Sequence, residues 1–379
     1  MPHIVTIGCG VVGAAIAYEL SQIPNLKITT IDRQEPGQGA TSAALGVLMS
    51  AISHKVKGRA WQLRRNSMER YETLIPELES ITGRQIPFNR EGILKLCFAG
   101  ENMTKWEELV KRRRQEKLHL EILSPDEVRS RHPYLGNLDL LIGAIYSPQD
   151  RQVEPVALTQ ALVDAARSKA VTFEFGVAVE GFKTVTTDSG QNSVTQIQTE
   201  RGNIAVDFLI IAAGLGSTSL TAELKQTVDI RPILGQGLQL HLGHSLSDRD
   251  FQPVITGDDV HIVPCTRGRE PITDYLVGAT VEEPRYANGE LDKVLPDAGK
   301  LDEVLSRAIA FCPDLAKATV VKKWFGLRPR PEGQPAPVIG PLEGYGNVLL
   351  ATGHYRNGIL LAPATAIAIR DKLKAYLAS

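Results

Sequence analysis

Net charge is what this chain most conspicuously lacks. Forty-two Lys and Arg stand against forty-three Asp and Glu, which removes the electrostatic footprint of a general nucleic-acid binder and points to a small partner. Cysteine is scarce too: Cys9, Cys97, Cys265 and Cys312 are too scattered for a zinc-type spacing and too few to staple 379 residues. No metal is expected, and a reducing, cytoplasmic setting is. Long apolar runs are absent as well. The richest stretch, 359–369, is broken by Pro363 and Thr365, so no transmembrane segment is predicted. The apolar stretch 4–20 has no basic flank and is interrupted by three glycines, which excludes a leader reading in favour of a strand and a helix. Internal repeats and low-complexity tracts are missing.

What remains is an ordinary globular composition, 43% apolar and 22% charged, in a chain long enough for two domains on a prior of ~150 residues each. The basic run Lys111-Arg112-Arg113-Arg114 falls in a helical stretch and is predicted to be a solvated face. Residues 3–8 read as a strand, 11–20 as a helix and 27–31 as a second strand, which is a right-handed βαβ unit. A long helix is predicted over 59–81, strands near 92–97, and a further α/β stretch with a helix over 156–169 and strands over 172–175 and 207–213. Short alternating strands then fill 230–321 with one helix near 301–310. The last fifty residues resume the first pattern, with a strand over 348–352 and a helix from about 359 to 376. The nucleotide-binding rhythm therefore starts, is interrupted, and returns.

Gly8-Cys9-Gly10-Val11-Val12-Gly13 follows the first strand and opens the first helix, the context that gives a GxGxxG pattern weight. The first two glycines permit a tight turn and close backbone approach to a pyrophosphate, while Gly13 permits close helix packing. The helix N-terminus offers unpaired N–H groups and a positive dipole end. Asp32 ends the second strand, where a carboxylate can hold a ribose diol. These residues bind a dinucleotide but do not choose between NAD and FAD. Two further segments bear on the choice: the small, hydroxyl-rich loop 39–46 and the turn Gly353-His354-Tyr355-Arg356-Asn357-Gly358-Ile359 before the last helix, whose N–H groups can face the electron-rich edge of a flavin.

The runs Trp324-Phe325-Gly326-Leu327-Arg328-Pro329, Pro337-Val338-Ile339-Gly340-Pro341 and Gly353 to Thr365, together with Gly8 to Gly13, Thr41-Ser42, Val153-Glu154-Pro155 and Ile210 to Gly214, resemble the D-amino-acid oxidase family, and within it the bacterial glycine oxidases. The resemblance covers essentially the whole chain and is weakest over 84–141. It implies an α/β (α+β) chain with a discontinuous Rossmann-like FAD-binding domain (1–83, 142–229 and 322–379) and an inserted antiparallel β-rich substrate domain (84–141 and 230–321). It also implies FAD against Gly8, Gly10, Val11, Val12, Gly13, Asp32, Arg33, Thr41, Ser42, Gly46, Val47, Val177, Gly214 and the turn of His354, Tyr355, Arg356, Asn357, Gly358, Ile359 and Leu360.

Arg328 is expected to anchor a substrate carboxylate, because a guanidinium fork matches it bidentately. Arg330 is the nearby competitor, and Arg356 is expected to contribute to the same pocket. The implied reaction needs no side-chain base: a neutral amine loses hydride to flavin, the imine hydrolyses to a keto acid and ammonia, and oxygen returns as hydrogen peroxide. The alternative within enzymes is a D-amino-acid dehydrogenase passing electrons to a quinone or other acceptor. An NAD-dependent dehydrogenase and a flavin-binding scaffold without turnover are the other readings.

This chain departs from the family at two places. His261 stands where the family carries a Tyr that helps hold the carboxylate, and a His there can change charge near neutral pH. Val281 stands where a Met lies near the substrate. At Gly326 the covalent-flavin relatives have a Cys, so non-covalent FAD is expected. Relatives also suggest a homo-oligomer.

Overall fold

The computed structural model describes residues 1–188, 190–247, 251–265, 271–287 and 294–378. His3–Ile7, buried at every position, is flanked by parallel strands on both sides. Lys27–Asp32 pairs with it from His3–Lys27 to Ile7–Ile31, and Phe208–Ile211 from Ile4–Phe208 to Ile7–Ile211. The full six-stranded order is Val338–Pro341, Val348–Thr352, Phe208–Ile211, His3–Ile7, Lys27–Asp32, Thr172–Phe175, and only the edge strand Val338–Pro341 runs antiparallel. Sheets wound to either side of a central strand open a crevice at the carboxyl ends of their strands. That is where the cavity described below lies.

The helix Val11–Leu20 is buried at all ten positions. Ala14, Ala15 and Ala17 let it lie close beneath the helices Pro155–Arg167 and Gly358–Ala378, in one core with Leu74, Leu78, Leu162 and Leu373. Burial on every side, rather than a single stripe, explains why the segment reads as continuously apolar.

A second sheet of eight strands runs Thr319–Pro331, Ile230–His241, Asp274–Gly278, Val260–Pro264, Val254–Gly257, Ile93–Phe98, Leu141–Ser147, Glu121–Leu123. It is antiparallel except where Val254–Gly257 lies alongside Ile93–Phe98. Two of its strands cross boundaries drawn from sequence. Leu141–Ser147 pairs here, from Ile93–Ser147 to Phe98–Leu141, although the division at 142 places it with the nucleotide pieces. Thr319–Pro331 pairs along its whole length with Ile230–His241, although most of it falls beyond the division at 322. An apolar strand does not say which sheet it will join, because that choice is made by partners far away in the chain. Thr319–Pro331 thereby carries residues from the large sheet into the wall of the cavity.

The C-terminal helix contains Pro363, which has no N–H for the Ile359 carbonyl. Tyr71 Oη donates to that carbonyl, and Ser67 Oγ accepts from the Ala364 amide at 3.3 Å. Both come from the helix Gly58–Thr82, which thus repairs the break and fixes the helix beginning that faces the cavity.

Residues 50–55, which lead from the cavity loop into that long helix, are gripped from two sides. The buried Asp150 carboxylate accepts from the amides of Ser50, Ala51 and Ile52 at 2.6, 2.8 and 2.9 Å and from Ser147 Oγ at 2.7 Å. Arg113 donates to the carbonyls of Ala51, Ser53 and Lys55 at 2.8, 2.7 and 3.0 Å and lies 3.6 Å over the Trp61 ring. Arg113 is fully buried, so the solvated-face expectation fails for this member of the basic run: its neighbours' unpaired carbonyls call it inward.

Asp150→Ala leaves three buried amides without an acceptor and is expected to cost roughly 3–5 kcal/mol. Urea denaturation measures it, and a loss below about 1 kcal/mol shows that water replaces the carboxylate.

Candidate active site

One cavity of about 700 Å³ opens at the carboxyl ends of the parallel strands, within the size range of small-molecule and cofactor sites. Its wall at one side is the first βα turn. Gly8 has φ +104°, and a Cβ there would meet the Ala212 carbonyl oxygen at 2.5 Å. Gly10 gives the first helix no side-chain cap. Val11 N–H donates to Thr41 Oγ1 at 3.1 Å, and the helix begins against the cavity with no acidic residue in its first turn. A helix N-terminus left in this state suits a phosphate. Asp32 holds the turn in place, its Oδ2 accepting from Cys9 N at 2.6 Å and its Oδ1 from Gln34 N at 2.9 Å. It still faces the cavity, where a diol can reach it. The uncapped helix, the carboxylate and the glycine turn fit the dinucleotide part of FAD.

At the other side the turn before the C-terminal helix folds back on itself, with φ +65° at Gly353 and +52° at Tyr355. A tyrosine in the left-handed region costs about 1–3 kcal/mol and persists where the surroundings over-determine it. His354 is buried there, its Nε2 2.9 Å from Thr365 Oγ1, and burial pushes its imidazole down to about 3, helped by Arg59. It braces the turn as a neutral ring.

Arg328 lies flat on Gly235, where a Cβ would stand 2.0 Å from its Nη2. Its Nη1 donates to the Leu234 carbonyl at 2.9 Å, leaving the rest of the fork for the cavity. Burial and the nearby Arg356 guanidinium hold its pKa below the usual arginine value. Among the described residues neither Arg328 nor Arg356 makes an ion pair. His261 joins them on the wall. Its Nδ1 is buried without a hydrogen-bond partner among the described residues, and burial, with Arg356 adding to it, pushes the imidazole down to about 4. The expectation of a charge change near neutral pH is thereby corrected: this ring stays neutral there. Two cations and a neutral imidazole around one space suit an anion.

Of the residues expected at the site, Gly8, Gly10, Val11, Val12, Asp32, Arg33, Thr41, Gly46, Val47, Val177, Gly214, His261, Arg328 and the turn from His354 to Leu360 all lie on the cavity wall. Gly13 and Ser42 do not. Gly13 is packed against the Gly8 carbonyl oxygen, 1.9 Å from where a Cβ would sit. Ser42 Oγ is turned outward to the carbonyls of Gln38 and Gly39. Val281 is 48% exposed and off the wall, so its difference from Met does not reshape the cavity. Arg330 is exposed, with its guanidinium 6.0 Å from the Tyr355 ring centre, and is also off the wall. Gly326 is on the wall, where a side chain would begin 2.3 Å from Ala43 Cβ. Sequence reasoning missed Gly235, whose signal was a glycine inside a strand, a mark of close approach.

No group of three or more metal-ligating side chains occurs among the described residues, and no described helix is long and apolar enough to cross a membrane.

Comparison with known proteins agrees with this geometry. The glycine oxidase of Bacillus licheniformis is 29% identical over 370 residues, covering 97% of this chain and 92% of its own length. The bifunctional protein ThiO/ThiG of Synechocystis sp. is 31% identical over 376 residues, and the chain spans 51% of that relative. The crystal structure of glycine oxidase from Geobacillus kaustophilus superposes with a TM-score of 0.83 at 26% identity, covering 99% of this chain and 95% of that one. A family model described as FAD dependent oxidoreductase matches residues 3–372. The chain belongs to this DAO family: it is an FAD-dependent oxidoreductase of the glycine-oxidase type.

Proposed function

We propose that this enzyme oxidises the C–N bond of a small amino acid, glycine, sarcosine or a small D-amino acid, to an imine that hydrolyses to a 2-oxo acid and ammonia, with oxygen as the electron acceptor and hydrogen peroxide as co-product. The observation that carries this reading is Arg328, half-buried on the cavity wall without an ion pair among the described residues. A cation left this way is stabilised by an anionic ligand, and its planar fork selects a carboxylate. When bound, FAD supplies the two-electron acceptor for the amino acid. In this reading the six-stranded sheet and its helices hold FAD, and the eight-stranded sheet delivers Arg328 and His261 to the substrate.

The residues' own contributions are position and electrostatics. Arg328 fixes the carboxylate and thereby the distance and orientation of the α-carbon. Arg356, exposed on the wall, draws the acid in. His261 offers the substrate one neutral ring nitrogen. His261 and His354 are both neutral at neutral pH, but with values of about 4 and about 3 they are bases too weak to deprotonate an ammonium group, so neither is assigned as the general base. The amine must arrive neutral or lose its proton to water.

Anaerobic addition of glycine, sarcosine and a panel of D- and L-amino acids to the yellow protein is expected to bleach its flavin band with one of them, and air is expected to restore it with release of peroxide. Bleaching that only a quinone or dye reverses moves the enzyme to the dehydrogenases. Bleaching by none of them removes the amino-acid reading and leaves the family intact.

Arg328→Ala is expected to raise KM roughly ten- to a hundred-fold, the worth of a charge-assisted pair, with FAD retained. Arg330→Ala is expected to leave KM within about two-fold. The reverse order moves the anchor to Arg330.

The pH profile of kcat/KM is expected to rise as the substrate ammonium group loses its proton and to show no inflection near pH 6.5. With its folded value at about 4, His261 is neutral above that pH and charges only below it. An inflection near 6.5 that His261→Gln abolishes contradicts this assignment.

A further inference from the structure

Arg64 is a half-buried arginine that makes no ion pair among the described residues and lies outside the cavity wall. It projects from the helix Gly58–Thr82, one turn before Ser67 and two before Tyr71, whose contacts brace the C-terminal helix. Its Nη2 donates to Asn357 Oδ1 at 3.3 Å and its Nη1 to the Ala60 carbonyl at 3.2 Å. Its Nε is buried without a partner among the described residues, and burial holds its pKa below the usual arginine value. Asn357 itself is on the cavity wall, in the turn that precedes the C-terminal helix. A structural arginine buried for stability would be expected to find a carboxylate. This one leaves its charge uncompensated and spends its directed hydrogen bond on the amide of a wall residue.

We propose that Arg64 is a positioning residue for the flavin: it fixes the Asn357 amide with its NH2 group toward the cavity and places an uncompensated positive charge directly behind it. A guanidinium only donates, so the amide oxygen must face Arg64 and the two amide N–H bonds must face away from it. Together with the N-terminus of the C-terminal helix, whose first turn holds no acidic residue, that gives the turn a side-chain donor backed by charge. Negative charge appears on the ring system of FAD when it is reduced, and donors and charge aimed there stabilise the reduced form over the oxidised one. Arg64 thus sets the reduction potential without touching the flavin or the substrate. The inference rests on FAD lying against the 353–358 turn, and not on which amino acid is oxidised.

The test uses purified holoenzyme and two readouts independent of turnover: the two-electron midpoint potential from dye equilibration, and the dissociation constant for sulfite, a nucleophile that leaves negative charge on the flavin. Arg64→Met is expected to weaken sulfite binding ten-fold or more and to lower the potential by about 30 mV for each ten-fold change in the reduction equilibrium. Arg64→Lys keeps the charge and is expected to recover part of both. Asn357→Ala is expected to reproduce much of the Arg64→Met shift. If Arg64→Met retains FAD with the potential and sulfite affinity of the wild type, Arg64 is a structural residue and the proposal fails. Should the methionine variant not fold, Asn357→Ala and Arg64→Lys both at wild-type potential overturn the proposal equally. Wild-type protein that takes up no FAD would instead overturn the cofactor placement on which the inference rests.

Discussion

A guanidinium held half-buried with no carboxylate partner among the described residues is the constraint around which the cavity is organised. Arg328 reaches the cavity because Thr319–Pro331 runs from the large sheet to the crevice of the small one, and because Gly235 on the neighbouring strand leaves its plane a bed. Its neighbours sharpen the effect. Arg356 adds a second cation, and both lower the tendency of His261 to take up a proton. In the proposed reading, a substrate carboxylate would relieve all three at once. Binding strength thereby becomes a device for orientation, which is what an enzyme that leaves the chemistry to a cofactor requires of its side chains.

The same logic governs the other side of the cavity. The C-terminal helix must begin at a fixed place for its N-terminal amides to be of use, yet Pro363 interrupts its hydrogen bonds within its first turns. The long helix Gly58–Thr82 compensates with Tyr71 and Ser67, and the segment leading into it is clamped by Asp150 from the amide side and Arg113 from the carbonyl side. Rigid positioning at the site is thus bound to buried polar pairs whose own side chains lie off the cavity wall. Changes at Asp150 or Tyr71 act on the site through geometry rather than contact.

Much of this was legible in the chain. The glycine turn, Asp32 and the first helix announce themselves locally, since a strand, a turn and a helix within thirty residues need no distant partner. The turn at 353–358 and Arg328 were legible through family resemblance, because an arginine in a strand carries no sign of its own that it lacks a counter-ion. What stayed hidden depends on distance along the chain. Asp150 meets amides 98 to 100 residues away. Arg113 was read as solvated because the three carbonyls that draw it inward lie 58 to 62 residues before it. The membership of Leu141–Ser147 in the large sheet is settled by Ile93–Phe98 and by nothing in its own residues. Ser42 has the composition of a ligand-facing loop, yet its hydroxyl turns back to the local carbonyls, a competition typical of serine in turns.

The most direct test of the unpaired guanidinium is a titration of the holoprotein with small unreactive acids, acetate and glycolate, against the matching amides, followed in the flavin absorbance. The acids should perturb the spectrum with a saturable affinity that Arg328→Met weakens by about ten-fold or more, and the amides should leave it unchanged. Equal binding of acid and amide, or wild-type affinity in the methionine variant, would mean that Arg328 does not define the substrate site.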